Sequence, residues 1–496
     1  MAKLGDLYQS ANDAKWPRFQ YFMITVISMT FFSHGGVPLL LPFLTSTKSW
    51  ECQSSKCNPD LPLCGQNLTD EDWVSTVSPA NDKFLKQFGI SCGYEGYISS
   101  IISGLFAGFM IGIVIGGKLM DKFGRHKVTC IGVYLFCGAV LCHAGSTTDF
   151  RVFGMAHVLC GFLSGITGAV FVFQTELTVT ALRNVGVQVH TETFSLGMLY
   201  GAALTYFVED FTWICVWLMV PALVFNTLIL LYIPESPFWL QVKGRDRQVV
   251  QSLEYVAKFN GVAFSDKGEV IETEHDPDSG STSAMELFTY TRFTRRMMLT
   301  FLLSWVNAAF CFWSLSFNVG DLIGNIFTNQ ILISMLDLLN RPINYYGVKV
   351  MKRVRFLRAC NVGMMISALL CMLPFPQEII PGFNLQKISA LFGRFLSDFY
   401  FNTIFLHTSE VIPTEVRAAG LGVCSSVGRI GSIAAPFVIL ANSVSPNINF
   451  SIIFILSAAC WVLYGSAPET HGKMLPDTLQ DMDDMVREGQ RKGSVN

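Results

Sequence analysis

Apolar residues along this chain are gathered into long blocks that polar segments separate. Many blocks hold roughly 17 to 25 residues, the length that an α-helix needs to cross about 30 Å of hydrocarbon. The pattern therefore predicts an all-α membrane protein with twelve transmembrane helices. The predicted spans are 20–44, 95–117, 128–146, 152–174, 190–209, 213–233, 297–317, 321–345, 357–374, 386–408, 418–442 and 448–467.

Charge patterning gives these spans a direction. Basic segments at 120–127, 245–296 and 349–358 fall on one side of the predicted helices, and positively charged loops remain in the cytoplasm. Both termini are therefore expected to be cytoplasmic. Residues 1–19 are polar and mixed in charge, so we expect no cleavable signal peptide and insertion directed by the first span.

The polar segments also divide the chain into parts. These are a cytoplasmic N-terminus at 1–19, a six-helix bundle at 20–233 with an extracellular loop at 45–94, a cytoplasmic linker at 234–296, a second six-helix bundle at 297–467 and a cytoplasmic tail at 468–496. The acidic linker and the tail are expected to be solvated, apart from a short amphipathic helix around 246–259. Two six-helix halves are typical of secondary transporters, which hold their substrate near the middle of the membrane.

The amino-acid composition limits which kinds of partner the protein can have. Hydrophobic residues make up 51% of the chain and charged residues 15%, with a net charge of −2, which favours a lipid bilayer as the surroundings. No dense basic face is left for a phosphate backbone, so nucleic acid is excluded as a partner. We also find no HExxH pair, GxSxG elbow or complete phosphate loop, so no catalytic residue, cofactor or enzymatic activity is predicted.

The outer loop carries its own chemistry. Its cysteines are candidates for two disulfides, with three possible pairings, and Asn67 begins a glycosylation sequon. The four cysteines are Cys52, Cys57, Cys64 and Cys92. A zinc site is the alternative, but the cluster has no histidine and the location is oxidising, so no metal is expected.

The second predicted span carries glycine at every fourth position, Gly104, Gly108, Gly112 and Gly116. Such a row leaves one helix face without side chains and lets a neighbouring backbone approach closely. It is compatible with a sliding interface and with static packing.

The loop after this span, MDKFGRHK, joins Asp121 to Lys122, Arg125 and Lys127. An acid at a cytoplasmic helix end can pair with nearby bases and hold an inner gate closed, or the charges can simply anchor the topology. With the preceding glycines, the loop resembles the one between helices 2 and 3 of the major facilitator superfamily.

Further stretches resemble the organic cation and anion transporter family (solute carrier family 22) within that superfamily. They are ELTVTALR (176–183), SEVIPTEVRAAGLG (409–422), PESPFWLQVKGR (234–245), PETHGKMLPDTLQDM (468–482) and the cysteine-rich outer loop. The resemblance covers nearly the whole chain. It implies the major facilitator fold in a multi-pass protein of the plasma membrane.

The resemblance also implies an intracellular gate. The matching positions are Gly117, Asp121, Gly124, Arg125, Glu176, Arg183, Glu410 and Arg417. Lys349 departs from the pattern because it stands where the family has an acid, and we therefore expect an asymmetric gate.

Three arginines, Arg341, Arg394 and Arg429, lie within predicted spans of the second half, and all three are candidate substrate-binding residues. A charge at the bilayer centre costs roughly 2.5–3.5 kcal/mol on insertion scales, so each needs a partner or a wet cavity. Arg394 precedes Asp398 by one helical turn, and Asp337 precedes Arg341 likewise. If both pairs form, Arg429 has no evident acid and can grip a carboxylate or sulfonate through two hydrogen bonds.

Alternatives exist for two of these cations. Arg429 can lie at a helix end or extend towards water, and Arg394 can lie near the outer boundary. The resemblance favours an anion site, because the position of Arg429 is an aspartate in cation-transporting members and an arginine in anion and carnitine-type members. Arg341 matches a helix 8 cation of the anion transporters.

Aromatic residues can hold the body of such a substrate. Phe312 and Trp313 match a paired-aromatic position of the family, and Tyr200 and Tyr206 lie on the fifth span. The predicted function is secondary-active or facilitative transport of a small organic anion by alternating access, with room for a coupling or exchange ion. The alternatives are a carnitine-like zwitterion or organic cation as substrate, and a non-transporting receptor or scaffold.

Overall fold

The computed structural model describes most of the chain. The described residues are 4–13, 16–45, 50–53, 73–88, 94–145, 149–168, 170–263, 285–319, 326–373, 378–380, 383–413, 416–442, 445, 447–472, 476 and 478–493. The chain divides into two compact units. The first unit is Met1–Ser91 with Gly108–Ser279, and the second unit is Cys92–Ala107 with Gly280–Asn496.

Eleven helices occur between residues 4 and 260 of the described chain. They are α1 (Leu4–Ala11), α2 (Arg18–Leu44), α3 (Pro79–Phe88), α4 (Glu95–Phe123), α5 (Arg125–Gly145), α6 (Phe150–Gly168), α7 (Val170–Leu177), α8 (Arg183–Phe207), α9 (Phe211–Tyr232), α10 (Pro237–Val242) and α11 (Asp246–Asn260). A short 3-10 helix, Thr180–Leu182, precedes α8. Strands β1 (Trp50–Cys52) and β2 (Trp73–Ser75) pair antiparallel.

The remaining described chain is built in the same way. Its helices are α12 (Glu286–Thr289), α13 (Arg292–Val319), α14 (Ile326–Val350), α15 (Arg353–Met372), α16 (Leu385–Val411), α17 (Arg417–Ala441), α18 (Ile448–Leu463) and α19 (Leu479–Gly493). A 3-10 helix at Tyr464–Ser466 follows α18. Strands β3 (Glu378–Ile380) and β4 (Phe383–Asn384) pair antiparallel.

Within the described residues, nine helical stretches are long and apolar enough to cross a bilayer. The other three predicted spans also form long helices, namely α8, α14 and α16, with 25, 25 and 27 residues. Their sequences are more polar, since α14 contains Asp337 and α16 contains Arg394 and Asp398, all three buried. The total of twelve spans therefore stays a prediction.

The glycine row produces the close contact that its spacing predicts. A methyl group at Gly108 or Gly112 would overlap the backbone of α6 at Val158 or Phe162. Glycine therefore lets α4 and α6 pack backbone to backbone, which no residue with a side chain would permit.

Both terminal segments pack against the helices rather than extending into solvent. In the first unit, α1 buries Leu4, Tyr8 and Ala11, and the Tyr8 hydroxyl donates to the carbonyl of Leu177 at 2.6 Å. The amphipathic helix expected at 246–259 is present as α11 and belongs to the same buried cluster.

The expectation of a solvated C-terminal tail is wrong for α19. Leu479, Met482 and Val486 follow each other at helical spacing and are buried, because they form an apolar stripe in an otherwise polar segment. Asp483 accepts hydrogen bonds from the hydroxyls of Thr291 and Thr294, which fixes α19 at the start of α13.

Some predicted features lie outside what the structure describes. These are the side chains of Cys52, Arg341 and Lys349, all of Cys57, Cys64, Asn67 and Cys92, and the linker residues 264–284. The other ten cysteines all lie in helices as free thiols. Small, soft thiols pack readily there.

Candidate functional site

In the first unit, the predicted charges assemble where three helices end or begin. The chain turns at Gly124, whose φ of 110° lies in the left-handed region, so that Arg125 starts α5 directly after α4. Nη1 of Arg125 lies 2.6 Å from Oδ1 of Asp121, and Nη2 lies 3.1 Å from Oε1 of Glu176. The guanidinium thus links the C-terminal ends of α4 and α7, with Glu176 and Arg125 largely buried and Asp121 exposed.

The PESPFW segment after α9 supports this turn. Oε1 of Glu235 accepts hydrogen bonds from the backbone N–H of His126 at 2.9 Å and of Ser236 at 3.0 Å. A carboxylate at a helix N-terminus satisfies free N–H groups and complements the helix dipole. Trp239 Nε1 donates to the carbonyl of Asp121 at 3.0 Å. Glu235 and Trp239 therefore both stabilise the turn between α4 and α5.

Gly124→Ala tests this arrangement. A Cβ at Gly124 would overlap Oε2 of Glu235, and the positive φ strains any L side chain. We expect a loss of about 1–3 kcal/mol in unfolding free energy, measured as a lower thermal midpoint of the purified protein. Gly117→Ala is the matched control, because a Cβ there meets nothing within 4 Å. Equal midpoints for the two variants would contradict the assignment.

The second unit contains the same construction. Nη2 of Arg353 lies 3.2 Å from Oε1 of Glu410, whose Oε2 accepts from Nε of Arg353 at 3.3 Å and from the Thr470 hydroxyl at 2.6 Å. Glu469 accepts from the backbone N–H of Arg353 at 2.8 Å and of Val354 at 3.1 Å. Each unit thus joins the first arginine of one helix to a glutamate in the last turn of another, and caps the first helix with a second glutamate.

The two clusters differ at one partner. Lys349 stands four residues before Arg353, where the first unit has an aspartate four residues before its arginine. Nη1 of Arg353 donates instead to the carbonyl of Val348 at 2.8 Å and to Nδ1 of His471 at 2.6 Å. The arginine–glutamate bridge is therefore common to both units, and the asymmetry is confined to the third partner.

The arginines seven residues after each glutamate are arranged differently. Arg183 is exposed at the start of α8 and, within the described part of the chain, forms no ion pair. Arg417 begins α17, and its Nε donates to the carbonyl of Ile412 at 3.0 Å. Glu176 and Glu410 bind the first arginines of α5 and α15.

Among the arginines of the predicted spans, Arg394 has a buried protein partner. Its Nη2 lies 3.0 Å from Oδ2 of Asp337, with side-chain exposures of 1% and 3%. Nε donates to the Ser316 hydroxyl at 2.8 Å, and the guanidinium lies 3.8 Å from the ring centre of Phe312. The expected pairing with Asp398 on the same helix is wrong, because packing of α16 on α14 brings Asp337 to Arg394.

Arg429 is the middle residue of the 25-residue helix α17, and it is partly buried. The helix lies close to α13 at this level, because Gly428 and Gly431 face the backbone of α13 around Trp305 and Phe310. Arg429 therefore does not lie at a helix end. In a helix that crosses a membrane, a charge at the middle is penalised most.

The predicted aromatic pair is part of a larger cluster in the second unit. Trp313 is buried, with ring centroids 4.7 Å from Phe106 and 5.5 Å from Phe317. Phe312 lies 5.3 Å from Trp313, between it and the guanidinium of Arg394. Tyr206 differs: it is half exposed in the last turn of α8.

Sequence reasoning missed Glu235, Arg353 and Glu469 as parts of the charged clusters, and Glu192 as an acid within a predicted span. The sequence did contain a signal for Glu235, Arg353 and Glu469. The spacing from Lys349 to Arg353 equals that from the aspartate to the arginine of the first unit, and both PES and PET segments directly follow a span.

Comparison with solved structures shows which fold these elements form. An inward-open form of the xylose transporter XylE from E. coli aligns with a TM-score of 0.64 at 15% identity, covering 94% of this chain and 99% of that chain. The same transporter bound to 6-bromo-6-deoxy-D-glucose, titled a major facilitator superfamily proton:xylose symporter, gives 0.63. The fold is therefore that of the major facilitator superfamily.

Residues 70–481 match the model of the family described as sugar (and other) transporter, and the chain belongs to this family. It is 25% identical to organic anion transporter 3 of Oryctolagus cuniculus over 94% of this chain and 91% of that protein. It is 28% identical to solute carrier family 22 member 15-like of Xenopus laevis over 84% and 85%. These relatives confirm the resemblance to solute carrier family 22, and the chain is a membrane transporter rather than an enzyme.

Proposed function

We propose that this protein carries small organic anions across the plasma membrane by alternating access. The observation that carries the proposal is the similarity to organic anion transporter 3, which extends over 94% of this chain. Basic residues in the middle of predicted spans add physical support, since a cation in a low-dielectric site attracts an anion.

Arg429, together with Arg341, would neutralise the acid group of the substrate. A guanidinium suits this task because its fork of N–H donors matches a carboxylate or sulfonate. Arg429 lies on the helix that packs against α13, which also carries Phe312 and Trp313. These rings and Tyr206 would contact the hydrophobic body of the anion.

Arg394 has another role in this proposal. Asp337 already neutralises its charge, and its guanidinium stacks on Phe312. We assign it to positioning the aromatic ring rather than to binding the substrate directly. Its effect on transport would then pass through the orientation of Phe312.

The arginine–glutamate bridges would form the inner gate. They link helix ends at Arg125 and Glu176 in the first unit and at Arg353 and Glu410 in the second. We also propose that the protein has twelve spans and cytoplasmic termini, and that transport uses a coupling or exchange ion. Bridges of this kind hold one state until substrate binding favours the other.

Uptake in cells that express the protein tests the substrate class. The competitors are a dicarboxylate, an aromatic sulfonate, carnitine and a quaternary amine, with untransfected cells as the background. We expect the dicarboxylate or the sulfonate to be taken up and to compete, because both present an acid to a cation. If only the quaternary amine or carnitine inhibits uptake, the result would contradict the assignment of an anionic substrate. Binding of a ligand without any flux would contradict transport itself.

A further inference from the structure

One surface of the second unit combines an exposed apolar stripe with two arginines. On α15, Val362, Ile366 and Leu369 follow each other at helical spacing and are 37%, 51% and 47% exposed. On a helix that crosses a membrane, such a stripe faces the lipid acyl chains. Arg355 and Arg358 lie at the N-terminal end of this stripe. Their charges are therefore near the membrane boundary, on the side where α15 begins.

Arg358 is held in place by an aromatic ring. Its guanidinium lies 4.6 Å from the ring centre of Trp461, which is 37% exposed in the last turn of α18. Tryptophan is enriched at membrane–water interfaces because it is apolar with one polar N–H. The pair therefore marks the depth at which lipid headgroups lie.

Arg358 has an unsatisfied donor in the part of the chain that the structure describes. Its Nε is buried and has no hydrogen-bond partner, and the guanidinium forms no ion pair with any side chain that the structure describes. The acids at the neighbouring helix ends, Glu410 and Glu469, are engaged by Arg353. A buried donor without an acceptor is costly, and an external acceptor would relieve that cost.

We propose that Arg355, Arg358 and Trp461 bind the headgroup of an anionic phospholipid. The phosphate oxygens accept hydrogen bonds from the guanidinium of Arg358, and Arg355 adds a second positive charge. The acyl chains lie along the apolar stripe of α15. Basic residues beside a span attract anionic lipids in this way.

The first unit offers an internal comparison. Its helix α5 begins at a capped arginine as α15 does, and Cys130 occupies the position that corresponds to Arg358. Counting back from the PES and PET segments places Thr227 opposite Trp461, and its hydroxyl lies 3.1 Å from that of Tyr134. Lys127 keeps a positive charge at the position of Arg355, but Arg358 and its aromatic support are both replaced, so a site built on the Arg358–Trp461 pair belongs to the second unit.

Native mass spectrometry of the full-length protein in detergent, titrated with dioleoylphosphatidylserine or dioleoylphosphatidylcholine, tests the proposal. We expect phosphatidylserine to bind at least about tenfold more tightly than phosphatidylcholine and to raise the thermal midpoint. Arg358→Gln should remove most of this preference. Arg247→Gln is the matched control, because Arg247 is exposed on α11, and it should retain the preference.

Two further sets of measurements complete the test of the lipid site. If Arg358→Gln does not fold, Trp461→Leu and Arg355→Gln are measured, and each should weaken the phosphatidylserine preference severalfold. Inorganic phosphate and glycerophosphoserine, which lack acyl chains, should not raise the midpoint at equal concentration. An unchanged lipid preference in all three variants, or full stabilisation by inorganic phosphate, would overturn the proposal.

Discussion

Uptake of an organic anion is expected to fall to background in the Arg429→Asp variant. The substitution replaces a cation in the middle of α17 with an anion, which would repel the acid group of the substrate. Removing one partner of a desolvated charge pair costs about 2–5 kcal/mol, which corresponds to a loss of roughly 30-fold or more. Radiolabelled uptake, normalised to the amount of protein at the cell surface, measures the effect.

Two variants separate charge from structure in this experiment. Arg429→Lys keeps the positive charge but loses the forked donors, so we expect intermediate uptake. Arg247→Asp makes the same chemical change on the exposed face of α11 and should leave uptake within about twofold, since exposed charges interact weakly. Normal anion uptake by Arg429→Asp at normal surface amounts would remove Arg429 from the binding site.

Asp337→Asn is expected to destabilise the second unit strongly. Arg394 is 1% exposed and Asp337 3%, so the variant leaves a buried guanidinium without its counter-charge. Breaking a buried pair from one side costs about 3–5 kcal/mol. The thermal midpoint of the purified protein should fall by roughly 5 °C or more.

A double-mutant cycle decides which acid serves Arg394. If the bridge is to Asp337, the cycle of Asp337→Asn with Arg394→Gln should show a coupling of at least about 1 kcal/mol. The matched cycle of Asp398→Asn with Arg394→Gln should show a clearly smaller value. The coupling energies remain comparable when the single variants are destabilised, as long as each still folds. Equal coupling in the two cycles would contradict the observed pairing.

The charged clusters show which contacts can be predicted from local sequence and which cannot. Asp121 and Arg125 are close because one helix ends and the next begins between them, and their contact was foreseeable from a separation of four positions in the sequence. The contacts of Arg125 with Glu176 and of Arg353 with Glu410 span 51 and 57 positions. They depend on which helix ends meet in the folded unit. The family resemblance predicted the residues of the first cluster. It did not predict Arg353, because Lys349 stands where the family pattern has an acid.

The pairing of Arg394 shows the opposite case. Spacing on one helix favoured Asp398, a reasonable partner for an isolated helix. In the folded unit, α14 presents Asp337 to the guanidinium and α13 presents Ser316 and Phe312. Three contacts from two other helices outweigh one local pair, since a buried guanidinium has several donors to satisfy.

The sequence by itself determined that this chain is a helical membrane protein, which segments form its long helices and which of several charged residues are candidates for the mechanism. Apolar length and the energetic penalty on charge in lipid act on each segment separately, and both are visible in the residue order. Only the tertiary structure decided which charges on distant helices pair and where α19 docks, because contacts between distant helices depend on packing geometry. The buried Nε of Arg358, which has no hydrogen-bond partner among the described residues, belongs to this second kind, because an unsatisfied donor can be recognised only when its surroundings are known.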